Sequence, residues 1–201
     1  QHLETLGLEL SLERIQVAET IDALGNRVSA EQDYRVLQPD RMTDPNGNRT
    51  AVAFDVLGFV AGSATMGKVS EVVGDSLVEF TADLSAQRVE DFFGDPLGMA
   101  ASLIDDATIR NIYDLHRYRR AGLPVCAATI SRETHANDPV SSEGLRVQVS
   151  LSYCDGLGGE IQKKLRVEPG PVVEDLPPLG ARWVGSGWTI LNNKRKPVKQ
   201  Y

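Results

Sequence analysis

Residue types able to do chemistry are few in this chain, and they lie far apart. The most suggestive run is Gly62-Ser-Ala-Thr-Met-Gly67-Lys68, which follows an apolar stretch and fits the G-x-x-x-x-G-K spacing of a phosphate loop. Such a loop cradles phosphate with backbone N–H groups, needs Ser or Thr after the lysine to hold Mg²⁺, and opens a helix. Val69 stands in that place and Gly74 follows too soon for a helix, so the run reads as strand and loop. His2, His116 and His135 are scattered, with no H-E-x-x-H and no i, i+4 pair to grip a metal. Cys154 is the candidate nucleophile and His135 could come near it, but a cysteine nucleophile needs a base and an oxyanion donor and the sequence shows neither. It reads as a packed thiol. The neighbours Asp105-Asp106 and Glu174-Asp175 would diverge on a strand and read as solvated loop ends. No catalytic, cofactor-binding or metal-ligating residue is assigned. The remaining ligand surface is Trp183 and Trp188, with Arg182 and Lys194-Arg-Lys196 nearby, which could take a glycan or an anion. Aromatics at strand spacing more often build core.

The aspartates that recur in this sequence do something other than catalysis. Asp22-Ala-Leu-Gly25, Asp44-Pro-Asn-Gly47, Asp55-Val-Leu-Gly58 and Asp155-Gly-Leu-Gly158 share the spacing D-x-x-G, and the first three start 22 and 11 residues apart. Aspartate at the first position of a type I turn accepts from backbone N–H groups further on, and the glycine takes positive φ and begins the returning strand as a bulge. Asp22, Gly25, Asp44, Gly47, Asp55, Gly58, Asp155 and Gly158 are therefore assigned as structural turn residues. The calcium spacing D-x-D-x-D-G is absent. Asn192-Asn-Lys-Arg195 resembles a fifth copy, but arginine in the glycine position is strained there and predicts a different turn.

Those turns need strands on either side. Arg146–Tyr153 alternates, with Val147, Val149, Leu151 and Tyr153 on one face. After the Asp155 turn, Ile161, Leu165 and Val167 fall on one face, interrupted by Lys163, and Gln162, Lys164 and Arg166 fall on the other. Consecutive hairpins make an antiparallel meander. Between them, a capping serine at Ser85 and apolar Val89, Phe92 and Phe93 predict a helix that Gly94-Asp-Pro96 stops. Leu97–Ile104 follows as a second short helix, Thr108–Tyr118 and Val125–Ile130 as strands, and Glu168–Pro178 as a proline-rich loop. The expected fold class is mainly β, a hairpin meander over about 20–70 and 107–201 with a short α-helical insertion near 84–104, in one fragment spanning 1–201.

Composition sets outer limits. The 201 residues are 41% apolar and 24% charged, the proportions of a folded chain. A net charge of -7 argues against general nucleic-acid binding. Residues 1–100 hold 17 acids and 7 bases, and residues 101–201 hold 11 and 14, a mild asymmetry that suits a solvated surface. No run of 18 apolar residues spans a membrane, and Cys126 and Cys154 alone exclude a disulfide framework or a four-cysteine zinc site. A start at Gln1 and a stop at Tyr201 in apparent mid-strand suggest a piece of a longer protein.

Several motifs, in order, resemble one family. Tyr34-Arg-Val-Leu-Gln-Pro39, Asp44-Pro-Asn-Gly-Asn-Arg49, Phe92-Phe-Gly-Asp-Pro-Leu-Gly98, Tyr153-Cys-Asp-Gly-Leu-Gly158, Gly159-Glu-Ile-Gln-Lys-Lys164 and Arg182-Trp-Val-Gly185 are similar to the RHS/YD-repeat region of the B component of bacterial insecticidal toxin complexes. The chain departs from that family at Cys154 for serine, Gly159 for arginine and Arg195 for glycine. The resemblance implies a spiral shell wall without enzymatic activity that encloses a cytotoxic effector and supports its delivery through a translocation pore. It also implies secretion. The implied partners are the remainder of the same shell, the C component with its effector, and the pore-forming A component, with no nucleic acid and no direct membrane insertion. No cofactor is implied, and the family's self-cleaving aspartyl protease belongs to the C component. Cut from such a shell, open strand edges should pair or aggregate. The alternative class is a secreted or cell-surface carbohydrate-binding module using Trp183 and Trp188.

Overall fold

A computed structural model describes residues 8–10, 16–71, 73–140, 142, 144–171, 180 and 182–201. His2, Glu174-Asp175 and most of the proline-rich loop lie outside the described residues. Eleven strands pair in chain order: β1 (Leu8–Leu10), β2 (Val17–Ile21), β3 (Arg27–Asp33), β4 (Gln38–Thr43), β5 (Arg49–Phe54), β6 (Val60–Met66), β7 (Ile109–Asp114), β8 (Val125–Arg132), β9 (Val147–Cys154), β10 (Glu160–Val167) and β11 (Arg182–Gly185). A separate hairpin joins β12 (Thr189–Leu191) to β13 (Pro197–Gln200). From β2 to β6 and from β9 to β10, each strand bonding to the next is what short turns dictate, because a tight loop returns the chain beside the strand it left. Mainly antiparallel β with a short helical insertion is thus the fold class. No described helix is long and apolar enough to cross a membrane.

Two compact units divide the chain, and β7 passes from one to the other. The first contains Gln1–Leu84, Ile104–Arg110 and Thr134–Leu145. Its core is built of small residues, Ala51, Ala61, Ala64 and Ala107, with Phe54 and Ile104. Gly62 on β6 leaves the space that the Phe80 ring fills. Beside that ring lies Arg110, only 1% exposed, its guanidinium 3.9 Å from the Phe80 centroid and donating to the Thr81 carbonyl at 2.9 Å. The carboxylate of Asp105 lies 3.5 Å from the same guanidinium, so the Asp105-Asp106 pair is more than a solvated loop end.

The second unit contains Ser85–Leu103, Asn111–Glu133 and Arg146–Tyr201. Helix α1 (Ala86–Gly94) starts where the Ser85 hydroxyl accepts from the Arg88 N–H at 3.2 Å. Helix α2 (Pro96–Leu103) starts on a proline, whose missing N–H costs nothing in a first turn. Phe92, Ala100 and Leu103 are buried with Ile112 of β7, Cys126, Ala128 and Ile130 of β8, and Val147, Val149 and Leu151 of β9.

Two expectations change. The strand expected over Thr108–Tyr118 ends at Asp114, and Tyr118 belongs to a short helix, α3 (Arg117–Ala121), closed by Gly122 at φ 66°. Arg120 fixes that helix by donating to both carboxylate oxygens of buried Asp114, at 2.8 and 3.3 Å. On β10 the register shifts between Glu160 and Gln162, so Gln162 pairs with Tyr153 and Lys164 with Leu151. The polar set therefore shares the face of β9's buried residues, and Leu165 is 44% exposed. A one-residue slip exchanges the faces of a strand, and the bulge supplies that slip.

Candidate functional site

The repeated aspartates sit at hairpin ends, between β2 and β3, β4 and β5, β5 and β6, and β9 and β10. Asp22 Oδ1 accepts from Leu24 N–H at 2.8 Å and Asn26 N–H at 2.9 Å, while Gly25 N–H donates to the Asp22 carbonyl at 3.0 Å. Asp44 repeats this with Asn46 and Asn48 at 2.9 and 2.8 Å, and Asp55 with Leu57 and Phe59 at 2.9 and 2.8 Å. Asp155 accepts from Leu157 and Gly159 at 2.9 and 2.7 Å. The four glycines, Gly25, Gly47, Gly58 and Gly158, hold φ between 78° and 85°. Hydrogen bonds favour the ionised carboxylates: donation from the Asn26 and Asn48 side chains holds Asp22 and Asp44 below the ordinary 3.8, and the Gly159 N–H does so for Asp155.

The fifth turn is of the same kind, against expectation. Asn192 Oδ1 accepts from Lys194 and Lys196 N–H at 2.9 and 3.0 Å, and Arg195 takes φ 58° in place of a glycine. Its guanidinium explains the tolerance. Arg195 Nη2 lies 3.3 Å from where a Cβ on Gly159 would be, and its charge helps hold Asp155 ionised. Leu191 and Arg195 of the last hairpin both approach Gly159, so that hairpin seats beside the Asp155 turn.

A further turn went unread in the sequence. Asp33 Oδ1 accepts from Arg35 N–H at 2.8 Å, and Leu37 closes the β3–β4 connection at φ 57°. No glycine marks it, and the positive φ falls one residue later than in the others. The available signal was the period, since Asp33 fills the gap in the series Asp22, Asp44, Asp55 at 11-residue steps. Arg35 from this turn reaches the next one, donating to the carbonyls of Asp55 at 2.7 Å, Val56 at 3.3 Å and Phe54 at 3.3 Å. Arg49 does likewise on the Gly67 and Lys68 carbonyls, at 2.9 and 3.2 Å. Asp83 caps the Val56 N–H at 2.8 Å. Arginine suits this clamping because its planar fork serves several carbonyls at once.

The remaining chemical candidates are structurally employed. The chain after Lys68 folds back on β6, with Gly67 N–H on the Val73 carbonyl at 2.9 Å and Gly74 at φ 90° packed against the Thr65 carbonyl. Among the described residues no helix opens after the lysine. His135 Nδ1 lies 3.2 Å from the buried carboxylate of Asp75, which also takes the Ala136 N–H at 2.7 Å and the Thr108 hydroxyl. Thr108 and His135 thus share one carboxylate oxygen, a tie between loops. Burial pushes the Cys126 thiol up to about 11, and Cys126 pairs with Tyr153 while Cys154 pairs with Val125, so the two thiols face opposite sides of the sheet. Among the described residues no three His, Cys, Asp or Glu side chains gather as a metal site. Trp183 lies on β11 opposite Arg166, half-buried, and Trp188 precedes β12, 51% exposed. Only Trp188 lines a cavity described below.

No family model matches the chain, and no curated protein does. Solved structures do. The crystal structure of TcdB2-TccC3 is similar over 92% of this chain at 23% identity and a TM-score of 0.68. TcdB2-TccC3-TEV matches over 96% at 19% identity and a TM-score of 0.70, and TcdB2-TccC3 without its hypervariable C-terminal region over 94% at 18% and 0.65. The fold is that of a Tc toxin RHS shell. This chain spans between 9% and 12% of the length of those RHS-shell chains. In this sheet the aspartate turns reverse the chain from strand to strand, and Arg35 binds one reversal to the next.

Proposed function

We propose that the chain is a non-enzymatic wall segment of an RHS-repeat toxin shell, in which hairpins enclose a cytotoxic effector and support its delivery through a translocation pore. The observation that carries this reading is the strand order: eleven strands paired in sequence, sharing their fold with TcdB2-TccC3 over more than nine-tenths of the chain. A wall needs no cleft, only strands that continue one another. β1 and β11 end the described sheet order and offer backbone groups to further strands of the same shell. Charged residues on both faces of β10 suit a wall wetted outside and loosely occupied inside: Lys163 on one, Lys164 and Arg166 on the other. The whole protein is a secreted B-type component that joins a C component with its effector and docks on a pore-forming A component, as a virulence factor against insects. It binds no nucleic acid and inserts no segment in a membrane.

Protection of cargo tests this. An epitope-tagged effector is produced with the complete polypeptide that contains this chain and challenged with protease. Enclosure predicts a tag that survives until the shell is denatured; digestion at the rate of the free effector refutes it. One observation favours a second reading: half-exposed Trp188 beside a cavity could stack on a sugar ring. Saturable glycan-array binding, lost in Trp188→Ala, would support the carbohydrate-binding alternative.

A further inference from the structure

In the second unit, a cavity of about 280 Å³ is walled by Leu123, Pro124 and Ile161 on its apolar sides and by Trp188 at its rim. The remaining lining residues are Arg117, Tyr153, Gln162 and Lys164. Two cations and no carboxylate therefore meet in one concave site. Arg117 is held with its guanidinium 5.5 Å from the Phe93 ring centroid and 5.6 Å from that of Tyr153, on a short helix that Arg120 ties to Asp114 of β7. Its Nη1 is shielded from solvent and makes no hydrogen bond of good geometry among the described residues, and the guanidinium lies beside the Tyr153 hydroxyl and the Cys126 thiol. Lys164 Nζ lies 5.3 Å from the same Tyr153 ring, brought to that face by the β10 bulge. Carboxylates on neighbouring elements are already engaged: Asp114 with Arg120, Glu160 with the Ser152 hydroxyl at 2.6 Å, and Asp155 with its turn.

An arginine sandwiched between rings presents its N–H edge rather than its faces, and a half-buried cation without a counter-ion gains from an anion supplied from outside. We propose that this cavity binds a peptide carboxylate carried on an apolar stem, with the acid between Arg117 and Lys164 and the stem against Ile161, Leu123 and Trp188. Gln162 supplies the neutral donor for the adjoining peptide carbonyl. The volume, near the lower end of ligand pockets, admits about one or two residues. Two sources carry this chemistry, an acidic side chain within a strand and a chain's terminal carboxylate. The proposal is independent of the shell reading, and its failure would leave that reading untouched.

The test uses the complete polypeptide that contains this chain. It is titrated by isothermal calorimetry with acetyl-Leu-Glu-amide, acetyl-Leu-Leu with a free carboxylate, acetyl-Leu-Gln-amide and inorganic phosphate. A ligand this small should half-saturate on the order of 1 mM. The proposal expects saturation with one or both acids, weakened by added salt, and at least about fivefold weaker in Arg117→Gln and in Lys164→Gln. Saturation by the first acid identifies a side chain as the source, and by the second a terminus. Should Arg117→Gln melt early, Lys164→Gln decides the outcome alone, because Lys164 packs on a single ring. Absence of saturation with either acid overturns the site. So does an equal response to the neutral amide or to phosphate alone, or unchanged binding in Lys164→Gln.

Discussion

Gly25 and Gly58 occupy the same place in the same turn, at φ 84° and 85°, but in different surroundings. A Cβ on Gly25 would meet nothing within 4 Å, whereas one on Gly58 would lie 3.1 Å from Val36 Cγ1. Alanine at Gly25 therefore isolates the backbone cost of left-handed φ, about 1–2 kcal/mol. Alanine at Gly58 incurs that cost and must also displace a valine that belongs to the neighbouring Asp33 turn, adding about 1 kcal/mol. For a chain of this size 1 kcal/mol lowers the melting temperature by about 2–4 °C. Calorimetry should then place Gly25→Ala roughly 2–8 °C below the parent and Gly58→Ala roughly 2–4 °C lower still. Gly158→Ala, at φ 78° with open space around it, should track Gly25→Ala. Equal melting of Gly25→Ala and the parent would refute the assignment of these glycines to strained turns. Equal melting of Gly25→Ala and Gly58→Ala would refute contact between adjacent turns.

Other consequences follow from the same contacts. The carboxyls of Asp22, Asp44 and Asp155 titrate below the ordinary 3.8 in the folded chain, so their stabilisation is present above that value and fades as pH falls through the folded values. Melting temperature plotted against pH should drop below about pH 4, and Asp22→Asn should make that drop shallower; parallel curves would count against it. At pH 8 iodoacetamide should leave Cys126 unmodified until unfolding, because its thiol is buried and pushed up to about 11; peptide mapping that finds it alkylated in the native chain contradicts this. Cys154→Ser should change neither fold nor melting. Arg110→Met strips the Thr81 carbonyl of its partner and should cost about 3 kcal/mol in urea unfolding, a loss that a surface arginine would not show.

What could be read from the sequence was what is encoded locally. The D-x-x-G turns need only four or five residues to specify them, and the α1–α2 insertion announces itself through Ser85 and Pro96. The family resemblance added the RHS-shell fold that the solved structures share. Asp33 was missed because Leu37, not glycine, takes the positive φ there. The inner face of β10 was misread because a bulge at Ile161 has no signature in alternation, and without it the cavity at Arg117 and Lys164 is invisible. Tyr118 was placed on a strand because a five-residue helix is too short for periodicity to register. Arg110 and Asp75 join segments distant in sequence, and no local pattern marks such partners.

The account stands on this chain being wall. A cryo-electron microscopy map of the complete polypeptide that contains it measures this directly. The account predicts that β1 and β11 each pair with a further hairpin and that the sheet closes round a hollow interior. A map in which β1 and β11 end free, with residues 16–201 forming a separate module outside any enclosure, would contradict it.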